Sequence, residues 1–248
     1  LGVVLERFLE AEQCDAALML KEVAHGRGQS YALRRWRPRY FWGMNHAPHS
    51  DADSALVIRG WERAVTVTQH LDGLLEAEPS TNEEEAPYDK YIPINKQRVK
   101  RIRKALAKDG LRGDLKAAAA GLKAGMRMLV LNEFWCGDGA QILPVHEALE
   151  AEAGGKLEVR VLLRDDNVDV MDLFLTNGGR SIPKTVLLDA DMNVLGTWGP
   201  RPEEAMALVR RIKAVPAIAH TYSQEVHKWY AADKQQNIQA ELAVLLGH

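Results

Sequence analysis

The sequence predicts an α/β fold, a mixed sheet with helices on both faces, and the order of elements after residue 126 carries this prediction. The run MRMLVLNEF (126–134) is short and continuously apolar, as expected of a strand buried on both faces. LEVRVLL (157–163) alternates in the manner of a second strand. Residues 139–153 have a helical pattern that ends at Gly154. Because a helical crossover joins these two strands, we expect them to be parallel.

The elements that follow complete the order β-α-β-α-β-β-α. We predict a short helix over residues 168–177, which Gly178 and Gly179 end, and strands over 185–189 and 194–198. A helix over 202–214 comes next, with a proline near its start. One long helix, over 220–246, is predicted to end the sequence.

Composition and charge exclude several classes of protein. The 248 residues are 46% hydrophobic and 27% charged, as in an ordinary globular chain. The net charge of -2 gives no global reason to bind nucleic acid or an anionic membrane. Two cysteines are too few for a disulfide-stapled fold, and no apolar run approaches the roughly 20 residues that span a bilayer. The first ten residues, LGVVLERFLE, contain charges within their apolar stretch, so we expect no secretory signal and a cytoplasmic location.

The segment PSTNEEEAP (79–87) is the best candidate for a linker. It combines two prolines, small polar residues and three consecutive glutamates. We therefore predict a mainly helical N-terminal segment at 1–78, an acidic linker at 79–89, and an α/β domain with helical extensions at 90–248. A helical piece as short as the first segment needs a partner surface, so we expect it to dock on the α/β domain.

Cys136 is the candidate reactive residue. The first strand runs directly into Phe134-Trp135-Cys136-Gly137-Asp138-Gly139-Ala140, and a helix follows. Unpaired N–H groups at the start of that helix lower the pKa of a cysteine, whereas the carboxylate of Asp138 raises it. The two effects oppose each other, and either sign of the net shift is compatible with the sequence.

The segment WCGDGA resembles the WCGPC active-site motif of the thioredoxin family. Pro144, eight residues after Cys136, matches the proline that kinks the active-site helix in that family. GRSIPK (179–184) is similar to the family's loop that ends in Ile-Pro. This resemblance implies a thioredoxin-like fold in which Pro183 follows a cis peptide bond and, with Ile182, lies beside Cys136.

A narrower resemblance is to a bacterial subgroup with WCGDxAQ in place of WCGPC. WCGDGAQ, LLRDDN and LGTWGPRP carry it. Members of this subgroup have a helical extension at each end, and residues 88–103 and 226–241 are similar to those extensions. The subgroup supplies an expected fold and no expected activity.

The sequence departs from the family at two positions that serve dithiol chemistry. Gly139 stands where the second cysteine is needed, so no disulfide can form within the motif. Val130 stands where thioredoxins carry a buried acid. Both departures argue against ordinary thioredoxin or disulfide-isomerase cycling.

Monothiol exchange is the first functional hypothesis. Cys136 is the nucleophile, and an external thiol resolves the mixed disulfide. The N–H groups of Gly139 and Ala140 are expected to face its sulfur. Trp135, Gly137 and Asp138 support the motif, and Ile182 and Pro183 position the partner. Expected partners are protein or small-molecule thiols and disulfides, with glutathione as a co-substrate whose carboxylate Arg180 or Lys184 binds; no resident cofactor and no metal are expected.

Two further hypotheses belong to other classes of function. A redox-inactive binding module would hold an extended peptide beside Ile182 and Pro183. The run RRWRPRYFW (34–42) interleaves four arginines with aromatic residues, a pattern that can stack on single-stranded nucleic acid. A loop whose aromatic side chains pack on the other domain is the interpretation we favour for that run, and we do not expect nucleic-acid binding.

Overall fold

The computed structural model describes residues 51–82 and 84–247, all within the unit Trp42–His248. The predictions for residues 1–50, including that for the run 34–42, lie outside the described residues. The helices are α1 (Asp51–Arg63), α2 (Val67–Glu76), α3 (Ile92–Asp109), α4 (Gly113–Ala120), α5 (Gly139–Glu152), α6 (Val168–Met171), α7 (Glu203–Lys213), α8 (Tyr222–Asp233) and α9 (Gln236–Leu246). The strands are β1 (Val65–Thr66), β2 (Met126–Asn132), β3 (Leu157–Leu163), β4 (Lys184–Leu188) and β5 (Val194–Trp198).

The strands form one mixed sheet in the order β1-β3-β2-β4-β5. β2 and β3 are parallel, with Met126 opposite Leu157, as their helical crossover predicts. β4 is antiparallel to β2, β5 is antiparallel to β4, and β1 is antiparallel to β3. The predicted α/β fold with a mixed sheet is therefore confirmed.

Alternation along β2 divides the apolar core between the two faces of the sheet. Met128 and Val130 belong to one cluster of buried side chains, while Leu129 and Leu131 belong to a second cluster on the opposite face. Because helices cover both faces, every one of these side chains is buried, and the strand reads as a continuous apolar run.

The residues just before the predicted linker belong to the same sheet as those after it. Val65 and Thr66 pair with Val161 and Arg160 of β3. Thr66 then begins α2 through a capping box with Gln69, whose side chain returns to the Thr66 N–H. Buried side chains of α2 join the core cluster that contains Val130. The division of the chain at residues 79–89 remains a prediction for the residues that precede 51.

The prediction of one helix over 220–246 is wrong, because the structure divides that range into α8 and α9. Lys234 and Gln235 both adopt left-handed backbone conformations, with φ of 52° and 62°. Left-handed residues end an α-helix, since they turn the chain away from the helix axis. The break redirects α9 toward β5, where Leu245 lies against Gly196.

None of the helices that the structure describes has both the length and the apolar character of a membrane-spanning segment.

Two buried histidines make the stability of the fold dependent on pH. His146 lies 3.1 Å from the Thr185 hydroxyl through Nε2, and His70 lies 3.2 Å from the Asn132 amide through Nε2. Burial lowers the pKa of each imidazole to about 4. A histidine whose pKa is depressed in the folded state stabilises the fold above its unfolded pKa of about 6.5, and the contribution is lost as the pH falls toward the folded value.

We expect the free energy of unfolding to fall by about 2 kcal/mol per buried histidine between about pH 7 and pH 5. Urea denaturation at a series of pH values measures it. His146→Gln should reduce this fall in the free energy of unfolding by the contribution of one histidine. His220→Gln, which removes an exposed histidine, should leave the fall unchanged. A profile that is flat in the unsubstituted chain would contradict the neutral, buried state of these rings.

Candidate functional site

Cys136 lies between the end of β2 and the start of α5, as predicted. Its N–H donates to the Glu133 carbonyl oxygen at 3.1 Å, which folds the connecting turn tightly. Its side chain is only 5% exposed. The Sγ atom accepts the Gly139 N–H at 3.4 Å and donates to the Ile182 carbonyl oxygen at 3.5 Å. The N–H of Ala140 was expected at the sulfur, and that expectation is wrong, because this N–H donates to the Cys136 carbonyl oxygen.

The structure decides between the opposing effects on the Cys136 thiol. Burial, followed by the negative charge of Asp138, raises the pKa of Cys136 to about 12. The N–H groups of Gly139 and Asp138 and the positive charge of Arg201 act in the opposite direction and are outweighed. The thiolate is the nucleophilic form of cysteine, and a raised pKa disfavours that form near neutral pH.

Asp138 is buried and fully paired by side chains from later parts of the chain. Arg201, in the loop between β5 and α7, donates from Nε to Oδ1 at 2.9 Å and approaches Oδ2 from Nη2 at 2.6 Å. The hydroxyl of Tyr230, on α8, donates to Oδ1 at 3.0 Å. A buried carboxylate is tolerated when it is paired and hydrogen-bonded in this way.

The position of the absent second cysteine is filled from the adjoining strand. A Cβ atom built on Gly139 would lie 2.1 Å from Oδ1 of Asn132. Asn132 is held in place by a bond from Nδ2 to the Glu133 carbonyl oxygen, 2.9 Å, and by its contact with His70. Any side chain at position 139 therefore requires Asn132 to move.

The loop before β4 lies against the cysteine. The peptide bond between Ile182 and Pro183 is cis, and Ile182 is buried. Trp135, half-buried beside the motif, packs on exposed Tyr88 with ring centroids 4.7 Å apart. The guanidinium of Arg164 lies 5.0 Å from the centroid of the Trp135 ring.

The two residues predicted to bind a carboxylate of glutathione are engaged elsewhere. Arg180 forms a bidentate pair with Asp172, at 2.7 Å and 2.8 Å. Lys184 is buried, and its Nζ atom lies 3.4 Å from the Thr176 hydroxyl. Pro144 lies inside α5 and is buried.

Sequence reasoning missed four side chains that surround the motif: Arg98, Arg201, His227 and Tyr230. Arg98 and His227 lie close over Gly137, because a Cβ atom there would be 3.0 Å from Arg98 Nη1 and 2.9 Å from His227 Nε2. These residues come from α3, α8 and the loop after β5, which are distant from Cys136 in sequence. The resemblance of residues 88–103 and 226–241 to terminal extensions is the available signal for Arg98, His227 and Tyr230, and the segment LGTWGPRP is the signal for Arg201.

A family model described as Thioredoxin matches residues 82–216, more than half of the chain. This chain belongs to the thioredoxin family. Within that family it is a member that lacks the second cysteine, since Gly139 and the side chain of Asn132 take its place.

Two solved structures are similar to this thioredoxin-family chain. A protein of unknown function from Pseudomonas aeruginosa is 19% identical, with a TM-score of 0.47, and the match covers 62% of this chain and 84% of the other. An HIV epitope-scaffold is 17% identical, with a TM-score of 0.46 and coverage of 71% and 96%. No curated protein matches the sequence.

We expect Gly139→Ala to destabilise the fold by about 1 to 3 kcal/mol, because the added methyl group overpacks the space that Asn132 fills. Urea denaturation measures the effect. The double variant Asn132→Ala/Gly139→Ala should lose less than the sum of the two single variants, since the smaller residue opens the space.

Gly113→Ala is the matched control for this substitution. Gly113 begins α4, and a Cβ atom there meets nothing within 4 Å. Its replacement should be neutral or stabilising by up to about 1 kcal/mol. Equal effects of alanine at positions 113 and 139 would contradict the close contact with Asn132.

Proposed function

We propose that this chain is a redox-inactive thioredoxin-like module that binds an extended segment of a partner protein beside Ile182 and Pro183. The observation that carries the proposal is the state of Cys136. Its thiol is buried and donates to the Ile182 carbonyl oxygen, and burial raises its pKa to about 12. A thiol whose pKa is raised in this way is almost entirely protonated near neutral pH, which leaves little nucleophile.

The surroundings of Gly139 support the same proposal. Dithiol proteins return to the reduced state through a second thiol three residues after the first. Here a Cβ atom at Gly139 would lie 2.1 Å from Asn132 Oδ1, because the Asn132 side chain occupies the space of the second cysteine. The motif thus has the thioredoxin backbone without the group that completes the redox cycle.

An apolar surface beside the motif is suited to a peptide partner. Tyr88 is 53% exposed and packs on Trp135. Arg164 connects this aromatic pair to the loop that leads to Pro183. Its guanidinium lies on the Trp135 ring, and its Nη1 atom donates to the Arg180 carbonyl oxygen at 3.2 Å. An extended segment that presents an apolar side chain can cover the two rings while its backbone follows the loop.

Selection of peptides from a display library tests this proposal. A selected peptide should bind Cys136→Ser as tightly as it binds the unsubstituted chain, because the thiol takes no part in recognition. Tyr88→Ala should weaken binding about tenfold, as expected when an aromatic anchor is truncated. Val244→Ala, which truncates a 61% exposed side chain on α9, is the matched control and should have no effect.

Two outcomes would contradict the binding module. One is that no peptide binds saturably. The other is that binding requires Cys136, which would indicate a covalent mixed disulfide with the peptide.

Monothiol exchange is the second candidate, and the N–H of Gly139 favours it because this group lies 3.4 Å from Sγ and stabilises a thiolate. The Cys136 thiolate would attack the glutathione sulfur of a glutathionylated protein, forming a mixed disulfide with glutathione and releasing the protein thiolate. A second glutathione thiolate would then attack the mixed disulfide, restoring Cys136 and releasing glutathione disulfide.

Mass spectrometry separates the two candidates. The chain, in a Cys14→Ser background, is incubated with glutathione disulfide at neutral pH. The binding module predicts no added glutathione within minutes, whereas rapid addition that reduced glutathione reverses would support exchange and overturn the proposal.

A further inference from the structure

Two nitrogen-bearing side chains from different helices meet over Gly137. Arg98 extends from α3 and His227 from α8. A Cβ atom on Gly137 would lie 3.0 Å from Arg98 Nη1 and 2.9 Å from His227 Nε2. The two nitrogens therefore approach one point on the backbone, immediately after Cys136.

Among the described residues, the two arginines at this point have neutral amides as their hydrogen-bond partners. Arg98 donates from Nη1 to the neutral Asn95 amide at 2.7 Å, and Arg101 lies 3.5 Å from the neutral Gln141 amide. Within the described part of the chain, neither arginine forms an ion pair. Asp138, the carboxylate that acts on Arg98, is already paired with Arg201.

His227 adds a ring nitrogen that has no partner. Its Nδ1 atom is buried and makes no hydrogen bond with the described residues. Buried polar atoms are nearly always hydrogen-bonded, so each exception calls for an explanation. Burial, followed by the positive charge of Arg98, lowers the pKa of His227 to about 4. In the neutral imidazole only one ring nitrogen carries the proton, and when that nitrogen is Nε2, which lies beside Gly137, it can donate to an anion there.

We infer that Arg98 and His227, with Arg101 three residues further along α3, form an oxyanion site beside Gly137 that takes a carboxylate or phosphate group. Guanidinium groups pair with both kinds of oxyanion through parallel N–H donors. Unlike the peptide site, this one belongs to the helical extensions α3 and α8, so it extends beyond the proposed function. Its position next to Cys136 would place an anionic ligand against the same motif.

Isothermal titration of the full chain with inorganic phosphate, and separately with succinate, tests the site at constant ionic strength in chloride. We expect saturable binding of at least one oxyanion. Arg98→Gln/Arg101→Gln should weaken binding about tenfold or more, because charge-assisted hydrogen bonds are lost. Binding of phosphate alone or of succinate alone identifies which oxyanion the site prefers.

The matched control removes two charges from the same helix. Lys100→Gln/Lys104→Gln replaces exposed lysines of α3 and should leave the affinity unchanged. Thermal unfolding verifies that each variant is folded. If the double arginine variant is unfolded, the single variant Arg101→Gln, at an exposed position, takes its place in the titration.

Three results would overturn the site: no saturable binding of either anion, an equal loss in the lysine control, or unchanged affinity in the arginine variants. The titration requires neither a peptide partner nor a reactive thiol. The oxyanion site and the proposed function can therefore fail independently.

Discussion

The buried carboxylate of Asp138 is the group on which the arrangement of the site depends. Desolvating a carboxylate costs several kcal/mol unless charged or polar partners surround it. Arg201 and Tyr230 supply these partners, one from the loop after β5 and one from α8. By pairing with Asp138, Tyr230 attaches the C-terminal extension to the cysteine motif, and Arg201 attaches the loop after β5. The same carboxylate adds to the burial that keeps the Cys136 thiol protonated.

This arrangement distinguishes the cysteine motif from that of a dithiol protein. In a dithiol protein the active cysteine is partly exposed and its thiolate is stabilised. Here the sulfur donates to the Ile182 carbonyl oxygen and is 5% exposed, while Asn132 fills the space of the second cysteine. The helix N-terminus still faces the sulfur, yet one N–H at 3.4 Å does not offset burial and a neighbouring negative charge.

Much of the fold could be predicted because it follows local rules. The element order follows from local patterns, and few topologies satisfy it. These patterns are the apolar run of β2, the alternation of apolar and polar residues along β3, and the glycines after α5. The position of Cys136 and the consequence of Gly139 also follow directly from the motif. The break between α8 and α9 could not be predicted, because Lys234 and Gln235 are not residues that commonly adopt left-handed conformations.

The rest of the site depends on contacts between residues that are far apart in sequence. Tyr230 meets Asp138 across 92 residues, and Arg201 meets it across 63. No periodicity or motif records such a pairing. Asn132 is near Gly139 in sequence, but its role depends on the direction of one side chain at the end of β2. The sign of the pKa shift at Cys136 could not be predicted either. The helix end and Asp138 act in opposite directions, so the sign depends on the extent of burial, which the sequence does not give.

The redox-inactive module that we propose depends on the ionisation of Cys136, which NMR can measure. The chain, in a Cys14→Ser background, is labelled with ¹³C at the cysteine Cβ, and its chemical shift is followed by NMR as the pH is raised. We expect a midpoint well above the ordinary cysteine value of about 8.5, with the fold intact. A midpoint below that value would show that the helix N-terminus and Arg201 outweigh burial and Asp138, and would contradict a thiol that stays protonated near neutral pH.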